Sequence, residues 1–265
     1  MPILTTNHLT RQFGEFKAVN DLSISVNQGE IFGLLGPNGA GKTTAIKMII
    51  TLLPPTHGTA SIGGLDIIRN PSEVRRLIGY VPQILSADGT LTGRENLLVF
   101  SKLYDIPRRE REKRINESLE FMGLNDASGK LVKNYSGGMI RRLEIAQSML
   151  HRPKVLFLDE PTIGLDPVGR KIVWDHIEKL RSDYGTTIFI TTHYMEEADK
   201  LCTHVGIMNQ GKLAAIGVPA ELKASLEKEN ATLEDVFTHY SCGTLESGES
   251  YRETSMTRRT AGRLA

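Results

Sequence analysis

The stretch Gly36-Pro37-Asn38-Gly39-Ala40-Gly41-Lys42-Thr43-Thr44 packs three glycines, one lysine and two hydroxyls into nine residues. Its spacing, G-x-x-x-x-G-K-[ST], suits the cradling of nucleotide phosphates. Glycines let successive backbone N–H groups curl around phosphate oxygens. A helix opening at the lysine adds its positive dipole end. Lys42 supplies a cation to the β- and γ-phosphates, and Thr43 a hydroxyl to magnesium. A plain glycine-rich turn is the competing reading. The flanks disfavour it, because the stretch follows the apolar run Ile31-Phe32-Gly33-Leu34-Leu35 and opens a helical pattern.

Val155-Leu156-Phe157-Leu158-Asp159-Glu160 is an apolar run that ends in two carboxylates. Alone this is weak, since many strands end in acidic loop residues. Beside a phosphate loop it gains meaning: Asp159 can hold magnesium and Glu160 can take a proton from an attacking water. His193 closes a second apolar run, Thr186 to Thr192. In an open α/β sheet that position faces the ligand side, where an imidazole can bond the γ-phosphate. The other six histidines lack such a setting and read as surface or internally satisfied residues. Gln83, after Ile78-Gly79-Tyr80-Val81-Pro82, is by itself an ordinary surface glutamine.

A third stretch, Asn134-Tyr135-Ser136-Gly137-Gly138-Met139, runs straight into a helix with an apolar stripe of Ile140, Leu143 and Ala146 and three charged residues. Each glycine at a helix start costs about 1 kcal/mol relative to alanine, so the pair calls for a reason.

These residues need elements to position them. Residues 3–35 read as β structure, with Leu22, Ile24 and Val26 alternating with polar residues as one half-buried antiparallel strand. Ile31–Leu35, Val155–Asp159 and Thr187–Thr191 are short apolar runs of the kind found in buried parallel strands. Residues 43–53 read as a helix stopped by Pro54-Pro55. Residues 92–151 read as mostly helical, opened by a capping box at Thr92 and Glu95. The charged run Arg108–Arg114 reads as a solvated helix face. Asp166 and Pro167 are the N-cap and first residue of another helix. Strands 205–208 and 212–216 flank the turn Asn209-Gln210-Gly211; a helix near 220–229 and a capping box at Thr232 and Asp235 follow. Residues 241–265, rich in Ser, Thr, Gly and Arg, read as a flexible polar tail after a cassette spanning 1–240. The fold class is α/β: a mixed-sheet phosphate-loop NTPase core with an antiparallel β subdomain and an inserted helical subdomain at about 84–151.

Composition narrows the function. A net charge of +1 argues against nucleic acid as a partner. The two cysteines, Cys202 and Cys242, form neither a metal-ligand spacing nor a disulfide framework, which points to a reducing compartment. No uninterrupted apolar window reaches the length of a membrane span, and the N-terminal residues lack a signal-peptide pattern. Any membrane role is expected to run through another chain.

Taken in order, these motifs resemble the nucleotide-binding subunit of ATP-binding cassette transporters, over about residues 3–240. The resemblance implies ATP and Mg2+ as cofactors. It makes Gln83 a catalytic and magnesium-contacting loop residue alongside Glu160, His193, Thr43 and Asp159, and makes Phe13 an aromatic that stacks on adenine. It makes residues 135–139 the signature motif and 164–167 the loop that follows the acidic strand. In this family Ser136, Gly137 and Gly138 cap the γ-phosphate of ATP held by the opposite subunit, so a head-to-tail homodimer is expected. A separate transmembrane permease is the expected partner, reached at the cytoplasmic face of the cell membrane through the helical insertion, with Ile84 and Leu85 as contacts.

The commonest signature is LSGGQ; here Tyr135 replaces leucine and Met139 replaces glutamine. Met139, together with Thr192–Asp199 (THYMEEAD) and Ala231–Phe237 (ATLEDVF), is similar to the daunorubicin- and multidrug-efflux ATPase branch. That implies export of drugs, lipids or polysaccharide. Importers are the alternative, and soluble members acting on ribosomes or DNA the more remote one. Lys42 and Ser136 lie only 94 residues apart without sustained heptads, which leaves no room for an inserted coiled coil.

Overall fold

In the computed structural model, residues 1–226 and 228–242 are described. The chain opens with β1 (Pro2–Phe13), β2 (Phe16–Leu22) and β3 (Ser25–Asn27), then enters the interior as β4 (Ile31–Leu35). Helix α1 (Lys42–Ile49) follows the phosphate-loop stretch. Next come β5 (His57–Ile62), β6 (Leu65–Asp66), α2 (Pro71–Leu77) and β7 (Ile78–Val81). The helical insertion holds α3 (Gly93–Leu103), α4 (Arg108–Phe121) and α5 (Gly137–Met149), with two 3-10 turns before α5. The core resumes with β8 (Val155–Asp159), α6 (Pro167–Tyr184), β9 (Thr187–Thr192), α7 (Met195–Leu201), β10 (His204–Asn209) and β11 (Lys212–Gly217). Helices α8 (Pro219–Ala224) and α9 (Leu233–Cys242) close the described chain.

Two sheets form. One is antiparallel, in the order β2-β1-β5-β6, with β3 also on β1. The other has the order β11-β10-β4-β9-β8-β7 and is parallel except at β11. Every residue of β4, β8 and β9 is buried, as expected for strands covered on both faces. Their side chains alternate between two cores. Ile31, Leu35, Leu156, Leu158, Ile188 and Ile190 face the helical side. Phe32, Phe157 and Phe189 face α1 and the antiparallel sheet, where Phe189 packs 5.3 Å from Phe32 and 5.4 Å from Phe157. Each such ring contributes on the order of 1.5–3 kcal/mol by burial.

The parallel register explains how distant motifs meet. Leu35 pairs with Thr192, Asp159 with Thr191, and Val81 with Leu158. The carboxyl ends of β4, β9, β8 and β7 therefore form one edge. From that edge emerge, in order, the phosphate loop, His193, Asp159-Glu160 and Gln83.

Several expected boundaries shift. The single strand expected over Leu22–Val26 is broken: Asp21 takes φ 63° and β2 ends at Leu22 before β3 restarts at Ser25. The helix expected over 43–53 ends at Ile49, and Thr51 sits at φ 67° before the prolines. The helix expected near 220–229 stops at Ala224. The charged run is mostly solvated, but Arg111 and Arg114 turn inward to donate to the carbonyls of Ile106 and Leu150. The three cap expectations hold: Thr92 and Glu95 form a reciprocal box, Thr232 and Asp235 do the same, and Asp166 caps α6. Of the tail expected over 241–265, Ser241 and Cys242 belong to α9; the rest lies outside the described residues.

Candidate functional site

The loop between β4 and α1 is built around its glycines. A Cβ on Gly41, at φ 104°, would sit 2.2 Å from the Ala18 carbonyl oxygen, and one on Gly36 would sit 2.2 Å from that of Met208. Only glycine fits at either place. Gly41 is the N-cap of α1 and no side chain caps it, so the first amides of α1 stay available to an anion. Asn38, Gly39, Ala40, Thr43 and Thr44 line the cleft at this loop, and the Pro37 carbonyl accepts from Lys42 Nζ.

Lys42 is buried. Its Nζ donates to the carbonyls of Gly36 at 2.7 Å and Pro37 at 3.1 Å, and lies 3.4 Å from Glu160 Oε1. Burial lowers its pKa from the ordinary lysine value, opposed chiefly by the Glu160 carboxylate. Such an ammonium has lost its water and gains from a denser anionic partner.

Asp159 and Glu160 leave β8 with different tasks. Asp159 Oδ1 accepts from Thr43 Oγ1 at 3.1 Å and from Thr191 Oγ1. Glu160 adopts φ 49°, a left-handed conformation that costs a non-glycine residue on the order of 1–3 kcal/mol. Its backbone N–H holds this turn by donating to Thr191 O at 3.0 Å, with Thr191 Oγ1 at 3.2 Å. The turn aims the Glu160 carboxylate into the cleft, between Lys42 and His193, whose Nδ1 lies 2.9 Å from Oε2. Thr191 is thus a structural centre of the site that motif reading passed over. The only clue was a hydroxyl one residue from the end of an apolar strand.

Gln83 lines the same cleft as Lys42, Thr43 and Glu160. Phe13 does too, and so does Phe16, its partner across the β1–β2 hairpin. Sequence reasoning missed Phe16 although Phe13-Gly14-Glu15-Phe16 has the form of a tight hairpin with two aromatic ends. Arg11 already covers one face of the Phe13 ring, 4.6 Å from its centroid. Phe16 is the more exposed of the two rings, at 65% against 47%.

The signature residues lie elsewhere. Ser136 caps α5, its Oγ accepting from Met139 N at 3.3 Å. They line a separate groove with Gly164, Asp166 and Gly169 that shares no lining residue with the phosphate-loop cleft. Within the chain nothing forbids a side chain at Gly138: a Cβ there would meet only Gly169 Cα at 3.7 Å. Among the described residues no crowding selects glycine at 138, while a Cβ on Gly137 would come 3.3 Å from Leu165 Cδ2.

Tyr135 gains an account. Its ring is buried and its hydroxyl donates to Ala127 O at 2.6 Å. A Cβ on Gly93, the first residue of α3, would lie 2.3 Å from that hydroxyl. The tyrosine thus bolts the segment before the signature to the turn at Ala127, in space that Gly93 leaves open. The helix behind it buries charge. Its apolar stripe is present, and Arg141 and Glu144 are buried beside it.

Among the described residues no helix is long and apolar enough to cross a membrane. No cluster of three His, Cys, Asp or Glu side chains that could hold a metal occurs among them either. The donor set available beside the phosphate loop is instead the Thr43 hydroxyl and the Asp159 carboxylate, 3.1 Å apart, with the Gln83 amide lining the cleft. Hard oxygen donors few in number fit magnesium, which is held mainly by phosphates and water.

Comparison with known proteins agrees with this geometry. The ABC transporter family profile matches residues 19–163, more than half of the chain. The chain is 45% identical over 215 residues to the daunorubicin resistance ATP-binding protein DrrA2 of Streptomyces coeruleorubidus, covering 81% of this chain and 66% of that one. It is 39% identical over 224 residues to the linearmycin resistance ATP-binding protein LnrL of Bacillus subtilis, covering 84% and 72%. The chain thus spans about two thirds of the length of these curated relatives. Among solved structures, an ATP-binding subunit of an ABC transporter superposes with a TM-score of 0.80 at 27% identity, covering 90% of this chain and 99% of that one. The ATP-binding cassette MJ0796, solved as a dimer with ADP and Pi, gives 0.72 at 25% identity, covering 81% and 98%. With its phosphate loop, acidic strand end and signature helix in this arrangement, the chain belongs to the ABC transporter family, as an ATP-binding cassette of the drug-resistance branch.

Proposed function

We propose that this chain is the ATP-hydrolysing subunit of a membrane exporter and works as a head-to-tail homodimer with two ATP molecules at its interface. The observation that carries this is the division of phosphate chemistry between two helix N-termini. That of α1 is backed by Lys42, Asp159, Glu160 and His193. That of α5 offers Ser136, Gly137 and Gly138 on an open surface with no catalytic group behind it. Each is half of a site, and two copies related by a two-fold axis complete both.

Within one half-site the roles follow from contacts. The amides of 36–44 and Lys42 hold the phosphates. A bound polyphosphate draws Lys42 from Glu160, leaving the carboxylate free to take a proton from water. His193, already on Glu160 Oε2, orients that carboxylate and faces the γ-phosphate. Thr43, Asp159 and Gln83 hold magnesium, which when bound neutralises charge on the phosphate oxygens. Phe13, joined by Phe16, supports adenine by stacking. The signature of the second copy closes over the γ-phosphate.

The permease side is supported by exposed apolar side chains on the helical insertion: Ile84 and Leu85 beyond Gln83, and Val99 and Leu103 on α3. Large exposed apolar side chains on this subdomain suit a protein partner rather than water. Similarity to antibiotic-resistance proteins supports export. Co-expression with a multi-span protein lacking its own cassette tests this: the two should co-purify, and the Ile84→Glu/Leu103→Glu variant should not. Retained co-purification of that variant would move the docking face elsewhere; no membrane association of either would sink the transporter reading.

A further inference from the structure

Two side chains of α5 reach across to the segment 82–87 that carries Gln83. Arg141 Nη1 donates to the Pro82 carbonyl at 2.6 Å, and Nη2 donates to that of Gln83 at 2.8 Å. One turn on, Glu144 Oε1 accepts from the backbone N–H of Ser86, from the Ser86 hydroxyl at 3.1 Å and from Ala87 N–H at 3.3 Å. Arg141 and Glu144 also pair with each other at 3.1 Å, each with 2% of its side chain exposed. Four backbone groups of one short segment are therefore held by two side chains of one helix.

Stability is a poor reason for this arrangement. A buried ion pair often does no better than apolar residues of similar volume. This one also leaves Arg141 Nε buried without an acceptor among the described residues. What a buried, directional pair supplies is position. Its two ends are informative: α5 begins at Ser136–Gly138, and the segment it grips places Gln83 in the cleft with Lys42 and Glu160.

We propose that Arg141 and Glu144 are positioning residues that make the Gln83 segment move as one body with the signature helix, so that capture of the partner's ATP at Ser136–Gly138 is transmitted to Gln83 in the subunit's own cleft. Neither residue touches ATP; both act through the backbone of 82–87. The inference rests on the dimer reading above. It gives the buried charges of α5 a task that Ser136 alone cannot perform, because the helix N-terminus and the Gln83 cleft share no lining residue.

Hydrogen exchange over residues 83–87 tests it, measured in Glu160→Gln with and without Mg·ATP and repeated in Glu160→Gln/Arg141→Lys. Lysine keeps the charge beside Glu144 but cannot hold two carbonyls as a guanidinium fork does. ATP is expected to slow exchange about tenfold in the first protein and less than about twofold in the second, with both dimerising on size exclusion. Equal slowing in both dimers overturns this inference alone. Failure of Glu160→Gln to dimerise with ATP overturns the dimer reading, and this inference with it. Should Arg141→Lys misfold, Glu144→Gln in the same background keeps an acceptor for Ser86 while removing the charge that holds Arg141. Loss of the ATP-dependent slowing is again expected, and its retention again overturns the proposal.

Discussion

The two helix N-termini of this molecule are built in opposite ways. At α1 the glycines are forced, because neighbouring carbonyls would strike any Cβ at Gly36 or Gly41. The polar groups there are buried and bonded to one another: Lys42 to Glu160, Glu160 to His193, Asp159 to Thr43 and Thr191. At α5 a Cβ on Gly138 would make only ordinary contact with Gly169 Cα at 3.7 Å, and the side-chain bond found at Ser136–Gly138 among the described residues is the Ser136 cap. A glycine required by its own chain is structural as well as functional. A glycine that its own chain does not require, kept despite its helix cost, points to something outside the chain. The contrast fits the proposal that the first end serves chemistry and the second closure.

The largest effect expected from breaking this contrast is at Glu160. Glu160→Gln should keep ATP binding and lower phosphate release by about 10²–10⁴-fold, with an ATP-dependent dimer accumulating on size exclusion. Near-normal turnover would remove Glu160 from the role of base. Next comes complementation between the two ends. Lys42→Ala and Ser136→Arg should each be nearly inactive alone, for different reasons. Mixed in equal amounts, half of random dimers pair one of each and hold one intact composite site, so about a quarter of wild-type turnover should return. A mixture as inactive as its parts would argue that each subunit completes its own site.

A smaller effect separates the ends by binding alone. Lys42→Ala should weaken monomer affinity for a fluorescent ATP analogue by roughly 10–100-fold, the loss of one hydrogen bond to a charged group. Ser136→Arg should leave that affinity within about twofold of wild type, since on the head-to-tail proposal the groove it fills receives another copy's ATP. Weakened monomer binding in Ser136→Arg would blur the contrast. The smallest effect is expected at Tyr135→Phe, which removes the hydroxyl bond to the Ala127 carbonyl while Lys130 N–H still donates to it at 2.9 Å. A loss of about 1–2 kcal/mol in urea unfolding, with turnover largely kept, would confirm Tyr135 as a bolt. A large loss of dimerisation instead would make it part of the signature surface.

Much of this molecule is legible in its residues. The phosphate loop, the acidic strand end, His193 and the signature announce themselves because each needs particular residue types at short spacing. Caps such as Thr92/Glu95 and Asp166-Pro167 are equally local, and all are present. The break between Leu22 and Ser25 and the early stop of α1 were not legible, because nearby positive-φ positions, 63° at Asp21 and 67° at Thr51, were taken by residues other than glycine. Thr191, Phe16, Arg141 and Glu144 escaped for a related reason. A threonine, a phenylalanine or a helical Arg-x-x-Glu occurs in many settings, and each acquires meaning only through what lies opposite.

The sequence by itself determined the chemistry: which groups can hold phosphate, which can hold a divalent cation, and which can move a proton. Those capacities belong to side chains and to glycine-rich backbone wherever they occur. Only the tertiary structure decided how they are shared out. The parallel register of β4, β9, β8 and β7 brings four distant segments to one edge, and buries Asp159 and Glu160 against Thr43 and Lys42. The packing of α5 gives its N-terminus a separate groove while tying its second and third turns to the Gln83 segment. Register and packing depend on contacts between residues far apart in the chain, so no local pattern could have specified them.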